Sequence, residues 1–138
     1  MIELHTQSAE EINTALKLVL VVEDDLEFGS FLVQMIHEET PYRVILATSG
    51  IEALNIVMHL KCDLFLLDYL LPGMSGLELY DRLHAIEECK DTPAFFLSAS
   101  TRLPQQELAR RNLKFLTKLT DLDELALTIR EFVEGEKV

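Results

Sequence analysis

Two acidic sets have the residue types to do chemistry together. Asp68 closes the apolar run Leu64-Phe65-Leu66-Leu67, just ahead of Pro72-Gly73, and Glu23-Asp24-Asp25 closes the run Lys17-Leu18-Val19-Leu20-Val21-Val22. Short aliphatic runs bounded by turn formers read as strands buried on both faces. A lone Asp at a strand end is more simply explained as the start of a turn. The second acidic set changes the reading. If the two strands are parallel neighbours, Glu23, Asp24 and Asp68 converge, and like charges that close cannot all stay ionised without a cation. A hard divalent ion held by oxygen meets that need, and Mg2+ takes one or two carboxylates, keeps several waters and bridges to phosphate oxygens.

Two other residues sit where they could join this site. Ser98 closes the run Thr92 to Leu97, and its hydroxyl either donates to a phosphoryl oxygen or bonds to backbone or water as strand-end serines do. Lys118 follows Leu113 to Thr117. Most lysines are solvated surface charges, although an ammonium beside carboxylates is a point charge suited to an anionic oxygen.

The elements that must position these residues follow from hydrophobic period and caps. Strands are expected at 17–22, 42–47, 64–68, 92–98 and 113–116, alternating with helices at about 25–38, 49–60, 76–88, 104–111 and from Asp121 onward. Asp25 is expected to cap the first of these helices, leaving Glu23 and Asp24 for the metal. The buried stripes expected are Leu26, Phe28, Phe31, Leu32, Met35 and Ile36, then Ala53, Leu54, Val57 and Met58, and last Leu122, Leu125, Ile129, Phe132 and Val133. Ser8-Ala9-Glu10-Glu11 has the form of a capping box, so the extension spanning 1–16 reads either as carrying a short N-terminal helix or as a frayed tail. The domain proper is expected at 17–134 with a tail at 135–138. Five strand and helix alternations imply an α/β doubly wound parallel sheet, flavodoxin-like (βα)5, strand order 2-1-3-4-5. Its switch point then falls between the strands carrying Glu23, Asp24 and Asp68.

Four motifs in this order resemble the receiver domain of two-component response regulators: Leu20-Val21-Val22-Glu23-Asp24-Asp25, Asp68 with Leu71-Pro72-Gly73-Met74-Ser75-Gly76, Phe96-Leu97-Ser98-Ala99, and Phe115-Leu116-Thr117-Lys118. The resemblance covers about 17–134. It implies an aspartyl phosphate on Asp68 taken from a phosphohistidine of a histidine kinase or histidine phosphotransfer protein. It also implies Mg2+ held by Glu23, Asp24, Asp68 and the backbone carbonyl of Leu70, with Lys118 and Ser98 contacting the phosphoryl group. Ser98 and Phe115 are the implied switch pair, and output is implied through the last strand and its flanking helices. A homodimer through that face is compatible with the sequence. No organic cofactor and no enzymatic activity beyond the domain's own phosphotransfer and dephosphorylation are implied.

The chain departs from the family pattern in several places. Leu119 follows Lys118 where the family usually has Pro, which puts the geometry of Lys118 in question. The segment between Ser98 and Lys118 is short, so the helix there is expected to be abbreviated. Glu23 stands for the commoner Asp, and Leu70 is apolar where relatives are often polar, which is expected to shield the phosphoryl group from water. Two rival classes are a receiver-shaped interaction module that is never phosphorylated and an aspartyl-nucleophile phosphatase. The second needs an acid two residues after the nucleophile, and Leu70 cannot serve.

Composition bounds the rest. The 138 residues carry 49% hydrophobic and 26% charged residues, ordinary usage for one domain with a sizeable core. A net charge of −12 without a basic run argues against nucleic acid as a direct partner. Nothing is long and apolar enough to span a bilayer, and Glu3, Glu10 and Glu11 do not suit a signal peptide, so a cytoplasmic protein with no membrane partner is expected. Cys62 and Cys89 lack metal-type spacing and read as reduced bystanders. His5, His37, His59 and His84 are spread too far apart to suggest a ligand set. With no effector domain after the last helix, the chain is expected to act alone, to relay phosphate, or to be one domain of a longer protein.

Overall fold

The computed structural model describes residues 8–99 and 102–135. His5 and residues 136–138 of the expected tail lie outside them. The sheet grows from the apolar runs. Strands β1 (Leu18–Val22), β2 (Arg43–Ala47), β3 (Leu64–Asp68), β6 (Ala94–Ser98) and β7 (Lys114–Thr117) pair in parallel in the order β2-β1-β3-β6-β7. This is the expected 2-1-3-4-5 arrangement once a small hairpin, β4 (Leu70–Leu71) and β5 (Met74–Ser75), is set aside. Every residue of the three central strands is buried, while β2 and β7 at the edges are partly exposed. Continuous apolar sequence without alternation is what a strand covered on both faces requires.

Helices cover both faces. On one side α3 (Gly50–Val57), α4 (Gly76–His84) and α5 (Gln105–Arg110) pack Ala53, Val57, Leu79, Leu83 and Leu108 against Leu20, Phe65 and Phe96. On the other, α2 (Leu26–Glu39) and α6 (Leu122–Glu134) pack Leu32, Met35, Ile36, Leu125, Ile129 and Val133 against Val21, Leu66 and Phe95. Helix starts follow side-chain caps: Ser49, Ser75 and Asp121 each accept from a backbone N–H in the first turn. Ser8 does the same for α1 (Ala9–Ala15) by accepting from the Glu11 N–H. The Leu18 N–H donates to Asp63 Oδ2 at 2.9 Å, fixing the entry of β1 beside that of β3.

Several expectations are corrected. Helix α3 stops at Val57 and leaves Met58 67% exposed, and α4 stops at His84, followed by a separate 3-10 turn at Glu87–Cys89. Leu26, Phe31 and Leu122 face solvent instead of the core, because α2 and α6 meet the sheet on a narrower stripe than the sequence period alone suggests. The loop after Asp68 contains the β4–β5 hairpin, whose Pro72-Gly73 turn has Gly73 at φ +78°, as a type II turn requires. His84 is a packed side chain, its ring tilted against that of Tyr80 at 4.0 Å between centroids and both nitrogens close to carbonyl oxygens of Tyr80 and Thr92. The abbreviated helix between Ser98 and Lys118 is present as the six-residue α5.

Candidate functional site

Strands β1 and β3 are adjacent and in register, with Val22 opposite Leu67, so the residues that follow them emerge side by side. Glu23 is 2% and Asp68 6% exposed, whereas Asp24 stands at the solvent-facing lip. Ligand oxygens of Glu23, Asp24 and Asp68 all lie within 4.8 Å of one another, forming the one potential metal-binding cluster among the described residues. An all-oxygen set with one exposed member suits a hard divalent cation that keeps part of its water. Helix α2 braces this corner. Asp25 is its cap, accepting from the Glu27 and Phe28 N–H groups, while the Asp25 N–H donates to Glu23 Oε2 at 3.1 Å. The expected division of labour among the three acidic residues therefore holds for Asp25.

Asp68 Oδ1 accepts from the Leu70 N–H at 3.2 Å. Behind it, Gly76 leaves no room for a side chain: a Cβ there would meet the Asp68 carbonyl oxygen at 2.5 Å and the Tyr69 Cα at 2.9 Å. The Gly76 N–H donates to the Tyr69 carbonyl at 2.7 Å, so α4 begins directly against the end of β3.

Lys118, the residue after β7, closes the site. Its Nζ lies 2.7 Å from Glu23 Oε1 and 3.5 Å from Asp68 Oδ2, although Leu119 follows it and no cis peptide occurs among the described residues. The Lys118 N–H donates to the Ser98 carbonyl at 2.8 Å, which ties the end of β7 to the end of β6. Ser98 is fully buried at its strand terminus, and Phe115 is half-buried on the face that α5 covers. Burial first, and then the Glu23 carboxylate, push Asp68 up to about 7 against the pull of Lys118 and the Leu70 N–H. Burial alone would lower the Lys118 ammonium, but Glu23 and Asp68 outweigh it and hold it above the ordinary lysine value.

The geometry thus gathers Glu23, Asp24, Asp68 and Lys118 at one end of the sheet, with Ser98 joined through the Lys118 backbone. Residues 19–130 match the response regulator receiver domain. The chain belongs to that family. This receiver domain is 27% identical over 115 residues to sporulation initiation phosphotransferase F of Bacillus subtilis, covering 83% of the chain and 92% of the relative. It is 30% identical over 117 residues to the uncharacterized transcriptional regulatory protein YbdJ of the same organism, covering 84% of the chain but only 50% of the relative. The chain therefore spans about half the length of that regulator. Among solved structures, the response regulator TrrA from Thermotoga maritima in complex with Mg2+ and BeF superposes with a TM-score of 0.75 at 28% identity, covering 85% of this chain and 99% of TrrA.

Two contributors escaped the sequence reading. Phe28 was assigned only to a core stripe, yet its ring lies 4.7 Å beneath Lys118 Nζ. Helical period shows which face a residue occupies, and nothing in it signals a contact with a strand ninety residues later. Gly76 is the second: only a residue without a Cβ fits against the Asp68 backbone. That close approach is a property of the folded arrangement, and no spacing in the sequence signals it.

Proposed function

We propose that this receiver domain accepts a phosphoryl group on Asp68 from a phosphohistidine of a histidine kinase or histidine phosphotransfer protein. The observation that carries this reading is the meeting of Glu23, Asp24 and Asp68 within 4.8 Å under the Lys118 ammonium. A carboxylate oxygen of Asp68 attacks phosphorus in line. The new O–P bond forms as the donor's N–P bond breaks, and the electron pair returns to the imidazole nitrogen. Lys118 is placed to take up an oxygen of the transferred group when its partner Asp68 becomes esterified, and the buried Ser98 hydroxyl is the neighbouring donor. The Leu70 N–H holds the second carboxylate oxygen in place during attack. Glu23, Asp24, Asp68 and the Leu70 carbonyl would hold Mg2+, which would supply charge neutralisation for the phosphoryl oxygens.

Output follows from the modified strand end. Phosphorylation adds charge and acceptor oxygens beside β6 and β7, and movement of Ser98 toward them opens space that Phe115 follows. The affected surface is α5, β7 and α6, the face proposed to change protein contacts or to dimerise. The acidic charge and the absence of a basic run favour a protein over nucleic acid as the direct target.

Incubation with Mg2+ and acetyl phosphate, read by intact mass, tests the proposal. Wild type should gain one phosphoryl adduct and Asp68→Ala none. An unmodified wild-type protein would point to an interaction module instead, and an adduct that survives Asp68→Ala would move the acceptor elsewhere.

A further inference from the structure

In the family pattern a proline after the lysine stiffens the turn that presents it, and here that position is Leu119, 95% exposed and without a core contact. Lys118 nevertheless reaches both Glu23 and Asp68, and a contact besides those two ion pairs would confine its long, flexible side chain further. Four rotatable bonds leave an ammonium many positions unless its surroundings remove them. The backbone bond from Lys118 N–H to Ser98 fixes the Cα and leaves the side chain free. The Phe28 ring adds a contact from α2, with its centroid 4.7 Å from Nζ.

The Phe28 ring is itself well anchored. Its N–H donates to Asp25 Oδ1 at 3.2 Å, its side chain is half-buried against the α2 and α6 core, and the ring stacks on Phe31 at 6.0 Å between centroids. Asp25 in turn donates to Glu23, so the first turn of α2 holds the carboxylate and the ring in one rigid unit. We infer that Phe28 is a positioning residue: its π face holds the Lys118 ammonium over Glu23 and Asp68, supplying from α2 the restraint that a proline after Lys118 would otherwise provide. An aromatic face attracts a partly desolvated cation, while the carboxylates set its direction. The inference rests on the reading that Lys118 contacts the transferred phosphoryl group.

The experiment separates the ring's charge distribution from its volume. Phe28 is replaced in the full chain by mono-, di- and pentafluorophenylalanine, which keep the shape while draining the π face, and by Phe28→Leu and Phe28→Tyr. Phosphorylation by acetyl phosphate with Mg2+ should slow stepwise with fluorination, by about fivefold at the pentafluoro end. Phe28→Tyr should restore the wild-type rate, and Phe28→Leu should resemble the pentafluoro variant. The Lys118 Hε resonances should be shifted upfield by the ring in wild type and return toward ordinary lysine values in Phe28→Leu. Equal rates across the fluorinated series would overturn the positioning role. So would unshifted Hε protons in the wild type, and that readout stands even if the domain takes no phosphoryl group, which would count against the functional reading alone.

Discussion

At Asp68, burial and charge act against each other. Its carboxyl is pushed up to about 7, so in the cation-free fold it holds a proton that the unfolded chain has already released. Between roughly pH 4 and 7 the folded state binds more protons, and the Asp68 contribution to stability therefore falls as pH rises through that window and stays lost above it. A divalent cation needs the carboxylate, so its stabilising effect has the opposite sign and grows as pH rises through about 7. Thermal melts should show Mg2+ raising the unfolding midpoint strongly at about pH 8 and weakly at about pH 5.5. Asp68→Asn should be more stable than wild type without Mg2+ at about pH 8 and nearly indifferent to the ion, and an equal Mg2+ response in both proteins would place the ion elsewhere. Two residues on, Leu70 is 61% exposed while its N–H donates to Asp68. Its apolar side chain offers no bond to an attacking water, so Leu70→Asn should shorten the lifetime of the aspartyl phosphate several-fold. Chasing the adduct by mass after removing the phosphodonor measures this, and an unchanged decay would refute the shielding role.

Among the elements, the tightest fit is between α4 and the end of β3. A Cβ at Gly76 would lie 2.5 Å from the Asp68 carbonyl oxygen, and the obstacle is backbone, which cannot swing aside. Gly76→Ala should cost about 2 kcal/mol, lowering the melting midpoint by roughly 6–8 °C, and should slow phosphorylation because the shifted backbone carries the acceptor. Gly73→Ala makes the contrast. Its Cβ would meet nothing within 4 Å, but φ is +78°, so it should cost about 1 kcal/mol through left-handed strain and leave phosphorylation nearly unchanged. Melting and phosphorylation rates measured together distinguish the two causes. The same elements mark how far sequence could be read. Strand existence and order were legible because β1, β3 and β6 are unbroken apolar runs, and the start of α2 was legible because Asp25 is a strong cap. The β4–β5 hairpin was not, since two-residue strands carry no period. Leu26, Phe31, Met58 and Leu122 were misplaced for a related reason: period marks a face, and only packing decides how much of that face is covered. The convergence of Glu23, Asp24 and Asp68 was legible as soon as two strands were taken as neighbours, while the contact of Phe28 with Lys118 required the positions of α2 and β7 together.

Across the whole molecule, both hydrophobic layers share one sheet, so neither face can open far without exposing the other. Residues of β1, β3 and β6 alternate between the layer under α3, α4 and α5 and the layer under α2 and α6. A fold built this way should unfold as one cooperative unit. Two buried thiols provide internal reporters of that. Cys62 is 4% and Cys89 5% exposed, both in the same layer, and burial pushes the Cys62 thiol up to about 12 and raises Cys89 as well. At about pH 8 the native protein presents almost no thiolate, so a disulfide reagent must wait for the structure to open. If opening is global, both cysteines should react at one shared rate, and Mg2+ should slow the two equally by the factor with which it stabilises the fold. Cys89 sits on the short 3-10 turn between α4 and β6, the place where a local opening would show first. Labelling of Cys89 well ahead of Cys62, unaffected by Mg2+, would mean that the α4 to β6 connection opens on its own and that cooperativity stops short of that edge.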